Sequence, residues 1–221
     1  MPKQPEALWI SPNPFVKCFD TPLIRYLARH IKLAHWEYQQ TSDEPSSLEL
    51  ALTLLHDYLK SKAQPLHLLG HSTGGLLGLL YARQYPERIK SLTLLGVGVY
   101  PAIDWHVHYY ALLGLLPCDR QIILAQIVRM LFGSQPVYPT QGLIEILEQD
   151  LSLSLSPHSL YQHHSIAPSS VPVPLLVCGS EDDIIIDRNA LRGWRPWLKP
   201  EDCLWESPKG RHYFHYFYPA P

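Results

Sequence analysis

The sequence predicts an α/β protein, a mostly parallel sheet flanked by helices, with a helical segment inserted into it. Three observations carry that expectation. Short apolar runs alternate with longer stretches of helical period. One junction, residues 66–85, runs from strand through a glycine-punctuated turn into helix. From Pro101 to about Pro168, strand-like patterns give way to apolar helical stretches broken by prolines. The expected division is a sheet domain over 1–100 and 169–221, with 101–168 as a helical cap. A chain of 221 residues suits one such domain. That length can bury roughly 70% of the surface the unfolded chain exposes.

Ala7-Leu8-Trp9-Ile10 is the first strand, closed by Ser11-Pro12-Asn13-Pro14. Thr21 is an acceptable N-cap, and Pro22 has its φ preset for the first helical position. Residues 31–36 supply the next strand. Leu48, Leu52, Leu55 and Leu59 recur at helical spacing, so 48–60 is predicted helix with one apolar face. Residues 66–69 read as strand, 76–85 as helix ended by Pro86, and 92–99 as another buried strand. Within the inserted segment, 122–132 and 143–147 are predicted helical. Leu153-Ser154-Leu155-Ser156 alternates like a strand, but Pro157 makes it a loop or a short edge piece. The sheet resumes at 173–178 and near 203–205.

Composition excludes several function classes. Hydrophobic residues are 46% and charged residues 17%, a globular balance, and the formal net charge is -2 with no block of like charges. Nothing there asks for nucleic acid or an anionic membrane surface. Cys18, Cys118, Cys178 and Cys203 are scattered without a CxxC pair, which suggests neither a disulfide framework nor a zinc cage. The opening residues lack the apolar core of a secretion signal, and no apolar run approaches the ~18 residues of a membrane span. A cytoplasmic protein with no membrane span is the expectation.

Chemistry concentrates at Gly70-His71-Ser72-Thr73-Gly74, which fits G-x-S-x-G. A serine hydroxyl is a weak nucleophile and has to be held out toward a base. A sharp strand-to-helix turn does this, and glycines two positions either side remove side chains that would collide. The helix that follows aims free N–H groups at the place where negative charge develops, which makes the Thr73 N–H an oxyanion donor. Glycine is common in such turns, so the pentapeptide alone is weak. Its place between a buried strand and an apolar helix is what makes it specific. Two later segments are weak singly: an acidic cluster after a strand is usually a solvated loop, and a histidine among aromatics is usually packing. From the residues alone Glu181, Asp182 and Asp183 all stay open as the acid.

Taken in order, the three segments resemble the α/β-hydrolase family of serine nucleophile-elbow enzymes, whose order is serine, acid, histidine. Gly179-Ser180-Glu181-Asp182-Asp183-Ile184-Ile185 is similar to the family's G-x-x-D-x-[IV]-[IV] acid turn, which assigns the acid to Asp182. Arg211-His212-Tyr213-Phe214-His215, with Pro219 beyond, is similar to its terminal G-H-F-x-H...P loop, which assigns the base to His212. The resemblance spans Leu8 to Pro219 and implies a triad of Ser72, Asp182 and His212. Ser11-Pro12 stands where the family usually has His-Gly, leaving Asn13 as the second backbone oxyanion donor. The implied activity is hydrolysis of a carboxylic ester or related acyl substrate through an acyl-enzyme. A non-catalytic binding or assembly module of the same fold, or an acyltransferase or lyase using the same triad, are the alternatives.

No cofactor and no metal is expected. Trp105-His106-Val107-His108 and His163-His164 lack a further ligand at metal spacing and are assigned to the cap. Trp105, Tyr109, Tyr110, Leu112, Leu113, Leu115 and Leu116 make the cap apolar, which suggests a small-molecule substrate with a hydrophobic part. The chain runs only nine residues past His212, so a protein partner covering that end is a further expectation.

Overall fold

The computed structural model describes residues 4–41, 43–44, 46–134, 138–159 and 164–219. Its strands are β1 (Ala7–Ser11), β2 (Leu33–Glu37), β3 (Leu66–His71), β4 (Ile89–Leu95), β5 (Leu175–Ser180) and β6 (Cys203–Ser207). Its helices are α1 (Thr21–Leu27), α2 (Leu48–Lys60), α3 (Thr73–Gln84), α4 (Trp105–Leu115), α5 (Arg120–Phe132), α6 (Thr140–Leu153), α7 (Arg188–Arg192) and α8 (Phe214–Phe217). The strands form one sheet in the order β2-β1-β3-β4-β5-β6, every neighbouring pair parallel.

Period-2 alternation assigns each strand's side chains to two cores. Leu8, Ile10, Leu68, Leu94 and Val177 face a large core shared with Leu55 of α2, Leu77 of α3 and Leu191 of α7. Ala7, Trp9, Leu69, Leu95 and Cys178 face the other side, where Leu23 and Leu27 of α1 and Phe214 of α8 pack. That second cover is thin. An apolar groove of about 430 Å³ remains there, lined by Leu27, Leu69, Leu176, Trp205, Phe214 and Tyr218. A parallel sheet is normally covered on both faces, which is why its strands read as continuous apolar runs.

The element boundaries follow local chemistry. Asp20, not Thr21, is the residue preceding α1, and Pro22 lies in its first turn. Ser47 caps α2 by accepting the Leu50 N–H at 3.1 Å, so that helix covers the residues its leucine spacing predicts. β4 stops at Leu95, short of the predicted Val99, because Gly96 takes a φ of +60°. β5 begins at Leu175, after Pro172 and Pro174, which have no N–H for a ladder. Between β4 and β5 the described residues carry the three helices α4, α5 and α6 and no strand.

One contact fixes the turn that matters. A Cβ on Gly70 would lie 2.4 Å from the Gly74 carbonyl carbon, and one on Gly74 would lie 2.3 Å from the Ile10 carbonyl oxygen. Backbone therefore meets backbone where β1, β3 and the start of α3 converge. Gly74→Ala is expected to lower unfolding stability by about 3 kcal/mol, because backbone cannot yield as a side chain does. Gly114→Ala on α4, where nothing lies within 4 Å, is expected to gain up to about 1 kcal/mol. Urea midpoints with an unchanged m value check both.

Candidate active site

Five loops leave the carboxyl ends of β1, β3, β4, β5 and β6 and bring their residues to one edge of the sheet. This is the edge where parallel α/β sheets place their ligands. Ser72 is the single residue between β3 and α3, with φ 48° and ψ −120°. For a residue with a side chain this backbone is strained by about 1–3 kcal/mol. Its N–H donates to the Leu95 carbonyl at 2.9 Å and its carbonyl accepts from Leu76 N–H at 2.9 Å, so the strained turn is held from both sides.

His212 follows β6 through Gly210 (φ 124°) and Arg211 (φ 55°), a loop that turns the chain back over the sheet edge. The residue is fully buried, and its N–H donates to the Leu131 carbonyl of α5 at 3.2 Å. Its Nδ1 lies 2.9 Å from Asp183 Oδ2. A carboxylate accepts, so Nδ1 carries the hydrogen and Nε2 is left as the basic lone pair. That Nε2 is buried without a hydrogen-bond partner, and no hydrogen bond links it to the Ser72 hydroxyl. The ring's Cε1 would lie 3.0 Å from a Cβ on Gly96, the residue after the carbonyl that holds Ser72.

The carboxylate that faces the imidazole is not the one the resemblance implies. Asp183, not Asp182, faces the imidazole. Asp183 is buried, and its Oδ1 accepts the N–H groups of Ile185 and Ile186 at 2.8 and 3.2 Å, which leaves Oδ2 aimed at His212. The Asp182 carboxylate points the other way. It accepts the Ser180 hydroxyl at 2.7 Å and the Arg211 N–H at 2.8 Å. Asp182 thus clamps the positive-φ residue preceding His212. The acidic turn has both aspartates, and spacing from Gly179 cannot tell which one the backbone rotates inward.

Asn13 and Thr73 line one small cavity with Ser72, together with Ser11, His71 and Trp105. Neither backbone N–H makes a hydrogen bond among the described residues. The Asn13 amide is tethered to the helical segment, donating to the Leu155 carbonyl at 3.3 Å and to Asp150 Oδ2 at 3.5 Å. Asp150 is fully buried, accepting also from Ser154 and from His106 Nε2 at 3.3 Å. Burial works to lower the His106 pKa, but the hydrogen bond to Asp150 and the nearby Asp104 outweigh it and raise it. The cavity holds about 20 Å³, room for one water. Of the apolar residues expected to line a substrate site, only Trp105 reaches it. Tyr109 packs in the core and Leu115 is 78% exposed.

Beneath Ser72 and His212 lies a polar layer in which His71 and His215 belong to the motif segments and Asp20 to none. Asp20 Oδ2 accepts from Trp9 Nε1 at 3.3 Å, and Oδ1 accepts from His215 Nε2 at 2.8 Å. His71 presents Nδ1 to Asp20 Oδ1 at 3.9 Å, and its Nε2 donates to the His212 carbonyl at 3.0 Å. Burial raises the Asp20 carboxyl to about 6, against the lowering pull of His71, and drives the His71 imidazole well down. Ligand atoms of Asp20, His71 and His215 lie within 4.8 Å of one another, as a metal would require. Two ligands bound tetrahedrally at 2.0–2.2 Å sit about 3.4 Å apart. The 2.8 Å contact is instead that of a hydrogen bond. His106 and His108 are likewise engaged, with Asp150 and with the Ile185 carbonyl, while His163 lies outside the described residues.

Comparison with known proteins places the chain. A family model described as the alpha/beta hydrolase fold matches residues 59–127. An uncharacterized protein of Synechocystis sp. is 45% identical over 219 residues, covering 99% of this chain and 87% of that protein. An uncharacterized protein of Nostoc sp. is 44% identical over 214 residues, covering 97% and 86%. Among solved structures, naproxen esterase (carboxylesterase NP) from Bacillus subtilis superposes with a TM-score of 0.73 at 17% identity, covering 99% of this chain and 81% of that one. Carboxylesterase CesB from Bacillus subtilis gives 0.70 at 16% identity, covering 99% and 81%. These structural likenesses speak to the fold. No helix among the described residues is long and apolar enough to cross a membrane.

The buried carboxyl of Asp20 sets a pH dependence. Its folded-state value, about 6, lies above the ordinary 3.8, so folding favours the protonated form. Its stability contribution is fully present below the ordinary value and is lost as pH rises through about 6. Relative to Asp20→Asn, the native protein is expected to lose on the order of 3 kcal/mol between pH 4 and 7, read from paired denaturant titrations.

Proposed function

Because this chain belongs to the α/β-hydrolase family, we propose that it is a serine hydrolase cleaving a carboxylic ester or related acyl substrate. The single observation that carries the reading is the pairing of a strained, positive-φ serine with a buried imidazole whose Nδ1 is committed to Asp183 and whose Nε2 is unpaired. In this reading Nε2 of His212 takes the Ser72 proton as the hydroxyl oxygen attacks the acyl carbon. Asp183 keeps the imidazole in the tautomer with a basic Nε2 and stabilises its cation. The carbonyl oxygen, now negative, sits between the N–H groups of Thr73 and Asn13, each worth about 3 kcal/mol to the barrier. His212 then gives its proton to the leaving alcohol, and water activated by the same nitrogen releases the acid. A serine at the elbow argues against the family chemistries that need a carboxylate nucleophile.

The residues 101–168 act as the cap over this site. Asn13 ties the oxyanion loop to that cap, and Trp105 forms part of the cavity wall. A cavity with room for one water favours short acyl groups, so activity on p-nitrophenyl esters is expected to fall steeply as the acyl chain lengthens.

Turnover of p-nitrophenyl acetate with a serine-directed phosphonate probe tests the assignment. Labelling is expected at Ser72 and to vanish in Ser72→Ala. Asp183→Asn is expected to lower kcat by about 10³–10⁴-fold through the wrong tautomer. Asp182→Asn, which touches only the loop, is expected to lose less than about tenfold. Native protein that neither turns over nor labels would leave the non-catalytic module as the better reading, and equal losses at the two aspartates would move the acid role away from Asp183.

A further inference from the structure

We propose that Asp20 is a second carboxylate behind the base, whose charge favours the imidazolium that His212 becomes. What His212 does chemically rests on the serine-hydrolase reading. The burial of Asp20 beside the histidine layer does not.

The hydrogens can be placed by elimination. The His212 carbonyl only accepts, so His71 Nε2, 3.0 Å away, carries the hydrogen. A neutral His71 then turns a bare Nδ1 toward Asp20 Oδ1 at 3.9 Å. At His215 the Nε2 hydrogen goes to Asp20 at 2.8 Å, leaving Nδ1 bare, buried and without a partner. At His212 the Nδ1 hydrogen goes to Asp183. Three neutral imidazoles have therefore each committed their one hydrogen, and of the three only His215 gives it to Asp20.

This layer is built, not incidental. Asp20, His71 and His215 come from three distant parts of the chain and are buried to 7, 7 and 1% exposure. The His71 ring lies between the others, 4.7 Å from His212 and 4.5 Å from His215 by ring centroids. His71 also immediately precedes Ser72, and its side chain holds the backbone of His212 through the His212 carbonyl. When His212 gains the serine proton, a positive charge appears in ring contact with His71, in a region from which water is excluded. Charges interact strongly there. Asp183 meets that charge from the Nδ1 side, and Asp20 meets it from beneath.

Other titratable groups face this carboxylate. They are His35 from β2, Cys18 just before α1, His71 from the end of β3, and His212, Tyr213 and His215 from the C-terminal loop. None of them is a fixed cation. With its carboxyl at about 6, Asp20 is ionised across the neutral range, where an esterase base must operate.

Asp20→Asn keeps the shape and deletes the charge. NMR titration of the His212 imidazole is expected to show its midpoint about half to one pH unit lower in the variant, since removing a nearby anion disfavours the cation. The acid limb of the kcat/KM profile for p-nitrophenyl acetate is expected to move the same way, with the plateau about tenfold lower. A lower plateau with an unmoved midpoint means that Asp20 is structural only and overturns the proposal, as does an unchanged profile. If the native protein neither turns over ester nor labels at Ser72, the hydrolase reading fails, yet the midpoint still decides the role of Asp20. Should Asp20→Asn not fold, Trp9→Phe removes one hydrogen bond from the same anion. It is expected to shift the midpoint in the same direction by less, and no shift in folded Trp9→Phe overturns the proposal.

Discussion

The arrangement depends on one constraint, that the chain must change from strand to helix at Ser72 within a single residue while lying against β1. No side chain fits at Gly70 or Gly74 because the neighbouring atoms are backbone. Ser72 alone bears the unfavourable φ, and two backbone hydrogen bonds hold it there. Local strain of this kind persists only where the surroundings over-determine it. Here the surroundings are a fully parallel sheet in which β1, the strand against the turn, is buried along its whole length. The hydroxyl and the start of α3 are thereby fixed to the stiffest part of the molecule, and every other participant is brought to them by loops.

Those loops are held by polar contacts of unequal kind. Asp183 fills its remaining lone pairs with backbone N–H groups before it meets His212, so its orientation is set without the histidine. The loop carrying His212 is fixed three times over: by Asp182 on Arg211, by the Leu131 carbonyl on the His212 N–H, and by His71 on the His212 carbonyl. Buried polar groups of this density stabilise a fold only when nearly all are satisfied. Among the described residues at this edge, Nε2 of His212, Nδ1 of His215 and the Ser11 hydroxyl are buried without a hydrogen-bond partner. An unsatisfied buried base is a poor element of stability and a good element of catalysis.

The architecture was legible because it is written in period. Alternating apolar runs marked all six strands, and the leucine spacing of α2 gave its limits. The turn at Ser72 was legible because its backbone restricts residue type at fixed offsets. The choice between Asp182 and Asp183 was not, since both are aspartate and backbone rotation in the turn decides between them. Asp20 carries no motif at all. It sits 51 residues before His71 and 195 before His215, and only the sheet order β1-β3 with the returning C-terminal loop brings the three together. His71 and His215 do fall within the motif segments, His215 as the second histidine of the terminal loop, but neither points to Asp20. The tethering of Asn13 to Asp150 was hidden for the same reason, being a contact across 137 positions.

That tether has an energetic consequence for how a ligand gets in. Drawing the Asn13 loop away from the helical segment means parting its side-chain amide from the Leu155 carbonyl and wetting Asp150, a carboxylate that is otherwise buried. Each such broken contact raises the displaced form by about 1–3 kcal/mol. A ligand whose fit needs that displacement has its apparent affinity reduced by the fraction of molecules displaced. Ligands that fit without it would accordingly be favoured.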